Sequence, residues 1–282
     1  MNLFMRFKDG VSKCVTLSYD DGVVNDLRFV ELIKKYGLKC TFNLNSGEYA
    51  DRDWDDFQST HRRLTKEKAI ALYKNSGFEV AAHGVTHPFL EQLPPAKRTE
   101  EIILDRRNLE KDYDCIVRGF AYPWGTYSDE TVDTLKACGI VYARTVESSH
   151  NFDIPKDWLR LKATCHHGDP MLPELTDRFI NGKVPFGPWL FYLWGHSYEF
   201  DFNNNWDIIE NFAQKVSGRD DIWYATNIEV YDYVADFNRL IFNTDLSRVY
   251  NPSARTLWFE YNWKPYKLGP GETIEINNTY GG

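Results

Sequence analysis

The chain has 282 residues, with 33 Lys and Arg against 41 Asp and Glu for a formal net charge of −8, a balance that keeps a surface soluble and offers no phosphate-tracking face. No nucleic-acid partner is expected. A hydrophobic content of 43% with 26% charged residues excludes a disordered chain, and the length suits one large α/β barrel or two ordinary domains. Five cysteines, at 14, 40, 115, 138 and 165, are an odd count without a CxxC pair, which favours reduced thiols over a disulfide scaffold. No stretch approaches the roughly 18 consecutive apolar residues of a membrane helix, and the first ten residues lack the apolar run of a signal peptide. A cytoplasmic protein without a membrane partner is the expectation, and nothing in the pattern specifies an oligomeric state.

In chain order, the apolar run Cys14–Tyr19 reads as a buried strand that ends on Asp20-Asp21-Gly22. Two carboxylates side by side repel, so an opposing charge must lie near if both are to stay ionised. Residues 24–36 carry apolar side chains at helical spacing up to Gly37, and Leu38–Leu44 reads as the next strand, completing the strand-helix-strand unit of a parallel sheet. Asn43, Asn45 and Ser46 fall at that strand's end, where Asn is expected as a turn former. Residues 49–63, with Asp51, Asp53, Asp55 and Asp56 around Trp54, read as a polar loop over the barrel mouth rather than a calcium loop, because the Gly and Glu of an EF-hand are missing.

A helix follows from an N-cap at Thr65 to Asn75, then a strand Phe78–Ala82 that delivers His83-Gly84-Val85-Thr86-His87 at its end. Two imidazoles four residues apart, with one Asp, make a divalent-metal site with open positions, and leave the second Asp free as a base. Next come a charged helix at 96–113, a strand Ile116–Tyr122 running into Pro123-Trp124-Gly125, a helix Asp129–Cys138 and a strand Gly139–Thr145. Residues 147–188 are poorly periodic, and no element is assigned there. Trp189–Trp194 is an apolar strand ending at Gly195-His196; Trp206–Val216 reads as a helix, Ile222–Ala225 as a strand, and Asn227–Phe237 as a closing helix capped by Asn227. That makes seven barrel strands. From Phe242 the texture changes to alternating segments, Arg255–Tyr261 and Thr273–Ile276, split by Gly269-Pro270-Gly271.

Four stretches in order, Ser18-Tyr19-Asp20-Asp21-Gly22, His83-Gly84-Val85-Thr86-His87, Phe120-Ala121-Tyr122-Pro123-Trp124-Gly125 and Leu193-Trp194-Gly195-His196, resemble the successive motifs of the polysaccharide deacetylases. This is carbohydrate esterase family 4, with nodulation-factor deacetylase homology. The resemblance covers about residues 12–235. It implies a distorted (β/α)7 TIM-like barrel over residues 1–241, with residues 242–282 as a short C-terminal β-rich appendage. It also implies a metal-dependent hydrolase that removes an N-acetyl or related acyl group from a carbohydrate by attack of water activated at the metal.

Carried residue by residue, the resemblance makes Asp21, His83 and His87 the metal ligands, with zinc first and nickel, cobalt or iron also suited to them. Asp20 becomes the base, and His196 the acid that protonates the leaving amine. The backbone N–H of Trp124 becomes an oxyanion donor, aimed by Pro123. A carboxylate partner of His196 is sought among Asp153, Asp157, Glu199 and Asp201, while His150, His166 and His167 are expected in structural or surface roles. Tyr122, Pro123, Trp124, Trp194 and Tyr198 are expected to meet substrate, and Trp189 to add an aromatic wall. One departure stands out: Ala121 occupies the place of an Arg that in the family holds the catalytic Asp. Arg144, from the next strand, is the candidate to fill that space and orient Asp20. Two other readings follow: a hydrolase of a small non-sugar amide, and a carbohydrate-binding protein that has lost turnover. A two-His, one-carboxylate oxygenase ranks behind them, since that chemistry needs no carboxylate beside the ligand.

Overall fold

In a computed structural model describing residues 2–53 and 61–276, the chain forms a parallel barrel with two small antiparallel sheets beside it. Trp54, Asp55 and Asp56 of the expected mouth loop lie outside the described residues. In order, the elements are β1 (Leu3–Arg6), β2 (Lys13–Asp20), α1 (Asp26–Lys35), β3 (Cys40–Leu44), α2 (Lys66–Tyr73), β4 (Glu79–Ala82), α3 (Pro95–Tyr113) and β5 (Gly119–Ala121). Then come α4 (Asp129–Ala137), β6 (Tyr142–Ser148), β7 (Leu161–Ala163), β8 (Cys165–His166), α5 (Leu172–Asn181), β9 (Trp189–Gly195), α6 (Tyr198–Phe202), α7 (Asp207–Val216), β10 (Ile222–Tyr224) and α8 (Asn227–Phe237). The tail holds β11 (Ile241–Phe242), β12 (Arg248–Tyr250), β13 (Leu257–Tyr261), β14 (Lys264–Leu268) and β15 (Thr273–Glu275).

All eight residues of β2 are buried, as expected for a strand covered on both faces. The parallel sheet runs β7-β6-β5-β4-β3-β2-β9-β8. Only Thr164 separates β7 from β8, and its N–H donates to Tyr192 O of β9 at 2.8 Å. Residues 161–166 therefore bridge β6 and β9, and the sheet comes round on itself with seven staves. The membership differs from the sequence count. The seventh stave is the broken segment 161–166, whose pieces of three and two residues are too short to show a period. The strand expected at 222–225 pairs only with Lys13–Val15 of β2, on the edge that β3 takes from Leu17 onward.

That split edge is filled from below by α8. Its N-cap is Thr226 rather than Asn227, in a capping box with Glu229. Asn227 instead enters the barrel floor, accepting from Thr16 Oγ1 at 2.7 Å and meeting the Tyr192 hydroxyl at 2.6 Å. Beside it the half-buried Glu79 accepts from Tyr142 and Thr41. The strand expected at 116–122 is shorter, Gly119–Ala121, with Ile116 exposed. The unassigned region also holds α5, which buries Leu172, Leu175 and Phe179 at the 3–4 spacing of an amphipathic helix. In the tail, β1 pairs with β13, so the first strand of the chain shares a sheet with residues beyond 242. All five cysteines are free, and four of them are buried. Among the described residues no helix is long and apolar enough to cross a membrane.

Gly119 packs against the Tyr142 ring so closely that a Cβ there would overlap the hydroxyl that bonds Glu79. Gly119→Ala is expected to cost about 1–3 kcal/mol of stability by overpacking, read as a lowered urea midpoint at constant slope. An unchanged midpoint would mean the floor is not packed this way.

Candidate active site

Strand β2 ends by turning sharply outward at two consecutive left-handed residues, Asp21 (φ 84°) and Gly22 (φ 64°). Asp in this region is uncommon and costs backbone energy unless its surroundings hold it. Here the Asp21 N–H donates to Asn43 O at 2.9 Å, and its carbonyl accepts from Arg63. The turn sets both carboxyls into one cavity of about 530 Å³ at the C-terminal ends of the strands, where parallel barrels carry their chemistry.

The two carboxyls are held by different partners. Asp20 Oδ1 accepts from Asn43 Nδ2 at 2.7 Å, and Oδ2 accepts from the fully buried Arg144. Burial works against its ionisation, but Arg144, His83 and His196 outweigh it and hold the carboxyl below the ordinary range. Asp21 meets His61 Nε2 at 2.8 Å through Oδ2 and Arg63 Nη2 at 2.9 Å through Oδ1. Those partners overcome burial and keep it far below the usual carboxylate range.

His83 follows β4. Its N–H is shared between Leu44 O and Asp105 Oδ2 of α3, at 3.0 and 2.9 Å. Its Nδ1 lies 2.7 Å from Ala121 O, which fixes the proton on Nδ1 and leaves the Nε2 lone pair facing Asp21 Oδ1 at 3.9 Å. The segment to His87 is a turn rather than a helix, with Gly84 (φ 80°) and His87 (φ 54°) both left-handed. Glu101 accepts from the Thr86 N–H and hydroxyl, 2.9 Å each, and so ties the turn to α3. His87 Nε2 comes within 4.0 Å of Asp21 Oδ1. Burial lowers the pKa of both rings, that of His87 to about 4, so both are neutral near pH 7 and able to donate lone pairs.

His196 follows β9. Its Nε2 lies 3.7 Å from Asp20 Oδ2, and its Nδ1 lies 3.4 Å from Glu199 Oε1. Burial acts to lower its pKa, but the bond to Glu199 and the charges of Asp20 and Asp21 raise it above the ordinary value. Of the four carboxylates considered, the one at His196 is therefore Glu199. Asp157 pairs with Arg160, Asp201 bonds Asn25 and Trp206, and Asp153 is exposed.

Asp20, Asp21, His83, His87, Tyr122, Trp124, Trp194, His196 and Tyr198 all border the cavity. Tyr122 nonetheless sends its hydroxyl away to Leu159 O at 2.8 Å, and Pro123 is buried in the short 3-10 turn Pro123–Gly125. Trp124 is exposed at the rim, donates from its indole to His87 O at 3.0 Å, and stacks on Phe89 at 11°. Arg144 lies beneath the cavity floor, its guanidinium 4.2 Å from the Trp194 ring centre. Trp189 does not reach the mouth. It pairs with Lys13 at the opposite end of β9 and packs on Phe152. Sequence reading missed His61 and Arg63, which fall at the end of the expected mouth loop with no periodic signal. It also took Asn43 and Asn45 for turn formers, whereas Asn43 lies within β3 and bonds Asp20, and Asn45 donates to the carbonyls of His83 and Gly84.

The sequence model of the polysaccharide deacetylases matches residues 8–143, the stretch that carries Asp20, Asp21, His83, His87 and Trp124. That match covers a little under half of the chain, which is similar in sequence there to the polysaccharide deacetylases. YxkH of Bacillus subtilis, named as a polysaccharide deacetylase, is 22% identical over 136 residues, which are 48% of this chain and 45% of that protein. The match thus spans about half the length of that relative. Among solved structures, a Mycobacterium smegmatis protein named as a polysaccharide deacetylase superposes with a TM-score of 0.58 at 14% identity, covering 84% of this chain and 96% of the other. A family 4 carbohydrate esterase from Streptomyces lividans, crystallised with acetate, gives 0.50 at 15% identity, covering 76% and 93%. These two likenesses establish the shared fold.

The donor set fits a divalent cation. Donor atoms of Asp21, His83 and His87 lie within 4.8 Å of one another, and Asp21 Oδ1, the oxygen facing both rings, accepts no well-formed hydrogen bond. One carboxylate and two neutral imidazoles suit zinc and its neighbours alike.

The Arg144–Asp20 pair has a pH signature. Asp20 titrates lower in the folded chain than in the unfolded one, so its contribution to stability is present above the unfolded pKa of about 3.9 and is lost as pH falls through the folded value. Arg144→Met is expected to cost about 3–5 kcal/mol at pH 7, because it leaves a buried charge unpaired. The difference from the unaltered chain should shrink below about pH 4. Urea denaturation of the metal-free chain at both pH values measures it, and a difference independent of pH would refute the pairing.

Proposed function

We propose that this chain is a metal-dependent hydrolase that removes an N-acetyl or related acyl group from a carbohydrate. The observation that carries the reading is the meeting, at one strand end, of a carboxylate with two neutral imidazoles (Asp21, His83, His87) beside a second carboxylate, Asp20, that stays ionised and unshared. Asp21, His83 and His87 would hold a divalent cation, zinc first, which would supply a Lewis acid for a carbonyl and for an attacking water.

The chain's own groups divide the remaining work. Asp20, ionised across the neutral range and anchored by Arg144 and Asn43, takes the proton of the attacking water. The backbone N–H of Trp124 is the donor proposed for the tetrahedral oxyanion. His196, whose raised pKa favours the protonated ring, gives its Nε2 proton to the departing amine. The exposed Trp124 stacked on Phe89 presents a flat aromatic rim. That suits the apolar face of a pyranose ring, and it favours a carbohydrate over a small free amide.

The test is release of acetate from N-acetylglucosamine oligomers and from other acylated sugars by the metal-loaded chain. Chelation should abolish it, and Asp20→Asn should lower kcat by about 10²-fold or more while leaving metal content unchanged. Asp21→Ala should lower metal content itself. Stoichiometric metal with no acid released from any acylated sugar would leave a carbohydrate-binding protein, and release from small amides alone would shift the substrate class.

A further inference from the structure

Behind His196 lies an arrangement that the proposed reaction does not itself use: three imidazoles converge on one carboxylate. Glu199 Oε2 lies 3.0 Å from His166 Nε2 and 2.9 Å from His167 Nε2, while Oε1 faces His196 Nδ1 at 3.4 Å. The outer atoms of the first two rings decide where their protons sit. The Gly168 N–H donates to His166 Nδ1 at 3.0 Å, so the neutral ring carries its proton on Nε2. The Tyr19 hydroxyl lies 3.2 Å from His167 Nδ1 in the buried core and can donate there, which again puts the proton on Nε2. His167 is nearly fully buried, and burial lowers its pKa to about 4, so it faces Glu199 as a neutral ring.

The backbone has been shaped around this ring. A Cβ at residue 195 would overlap His167 Nδ1, so the glycine of Leu193-Trp194-Gly195-His196 is what allows His167 to lie against β9. Phe200 closes the other face, with ring centres 4.1 Å apart.

We propose that His166 and His167 are positioning residues, which hold Glu199 Oε2 between two ring nitrogens and so keep Oε1 facing His196 Nδ1, favouring the Nδ1–H tautomer of His196 with Nε2 turned toward Asp20. The kinetic consequence rests on the hydrolase reading; the tautomer does not. Donor atoms of His166, His196 and Glu199 also have the spacing of a cation site. The Gly168 N–H on His166 Nδ1 argues against a cation, because it puts the ring proton on the very atom that would have to ligate.

Long-range 1H–15N spectra of the metal-free full chain at pH 8, with His196 assigned through His196→Gln, read the tautomer directly. Nδ1–H is expected in the unaltered chain, with a shift toward Nε2–H, the form a free imidazole prefers, in His167→Leu. His167→Gln keeps an amide donor near the place of Nε2 and should recover most of the loss. In the metal-loaded protein, His167→Leu should lower kcat about 10–100-fold with KM little changed, while uptake of one equivalent of zinc at Asp21, His83 and His87 reports an intact fold. Should His167→Leu fail that check, His166→Leu, a more exposed ring on the same oxygen, carries the same expectation. Nε2–H in the unaltered chain, an unmoved tautomer in a folded Leu variant, or a second equivalent of zinc lost in His166→Gln each overturns the proposal. If no acyl sugar is hydrolysed, the spectra still decide it, so failure of the substrate reading and failure of the positioning reading remain distinct.

Discussion

Two neighbouring carboxylates, buried where a strand leaves the sheet, are the constraint that the rest of the site answers. Asp20 and Asp21 are both almost wholly buried, and left to themselves one would take up a proton. Each instead has its own guanidinium, Arg144 from β6 and Arg63 from the end of the expected mouth loop. The charges are therefore matched before any imidazole is counted. This matters for the histidines: Arg144 acts to lower the pKa of His83, and Arg63 that of His87. The rings stay neutral beside two anions that would otherwise protonate them, and so remain able to ligate.

Around that balanced centre, the supports come from elements other than the ones they steady. Asn43 of β3 steadies Asp20 of β2, Asp105 of α3 steadies the amide of His83, and the carbonyl of Ala121 on β5 fixes the tautomer of His83. The geometry at the mouth thus depends on the spacing of four adjacent staves. The floor of the barrel is built separately, from Glu79, Tyr142, Thr41 and Asn227. Thr41 and Asn43 of β3 point into the barrel at its two polar levels, while Phe42 between them turns outward and packs on Tyr73 of α2.

Much of this was legible in the sequence because the elements nearest the chemistry are also the most regular. The runs ending at Tyr19, Ala82 and Trp194 are mainly apolar, and each delivers its acid or imidazole within two residues of its end, so position followed directly from pattern. Legibility failed where elements are short or where partners come from far away. The closing stave is broken at Thr164, which hid β7 and β8 and with them the placement of His166 and His167. Thr226 lost the cap to Asn227 because the capping-box residue, Glu229, sits inside an apolar stretch. His61 and Arg63 stand 40 and 42 residues from Asp21; their role comes from a fold-back that no periodicity announces.

The exchange at residue 121 illustrates how a barrel can lose a residue type and keep its charge. Ala121 and Arg144 are paired neighbours in register across β5 and β6, so their side chains leave the sheet next to one another on the same face. A long cationic side chain at either position reaches the same volume, but both together would crowd it and bury a second uncompensated charge. With Ala at 121, the guanidinium of Arg144 passes over the Trp194 ring to Asp20 Oδ2. The backbone carbonyl of residue 121 takes the Nδ1 proton of His83. Position 121 therefore serves the imidazole through its backbone, while the carboxylate is served from the next stave. The electrostatic requirement belongs to Asp20 rather than to one strand, which is why a departure in the third motif is compatible with an intact site.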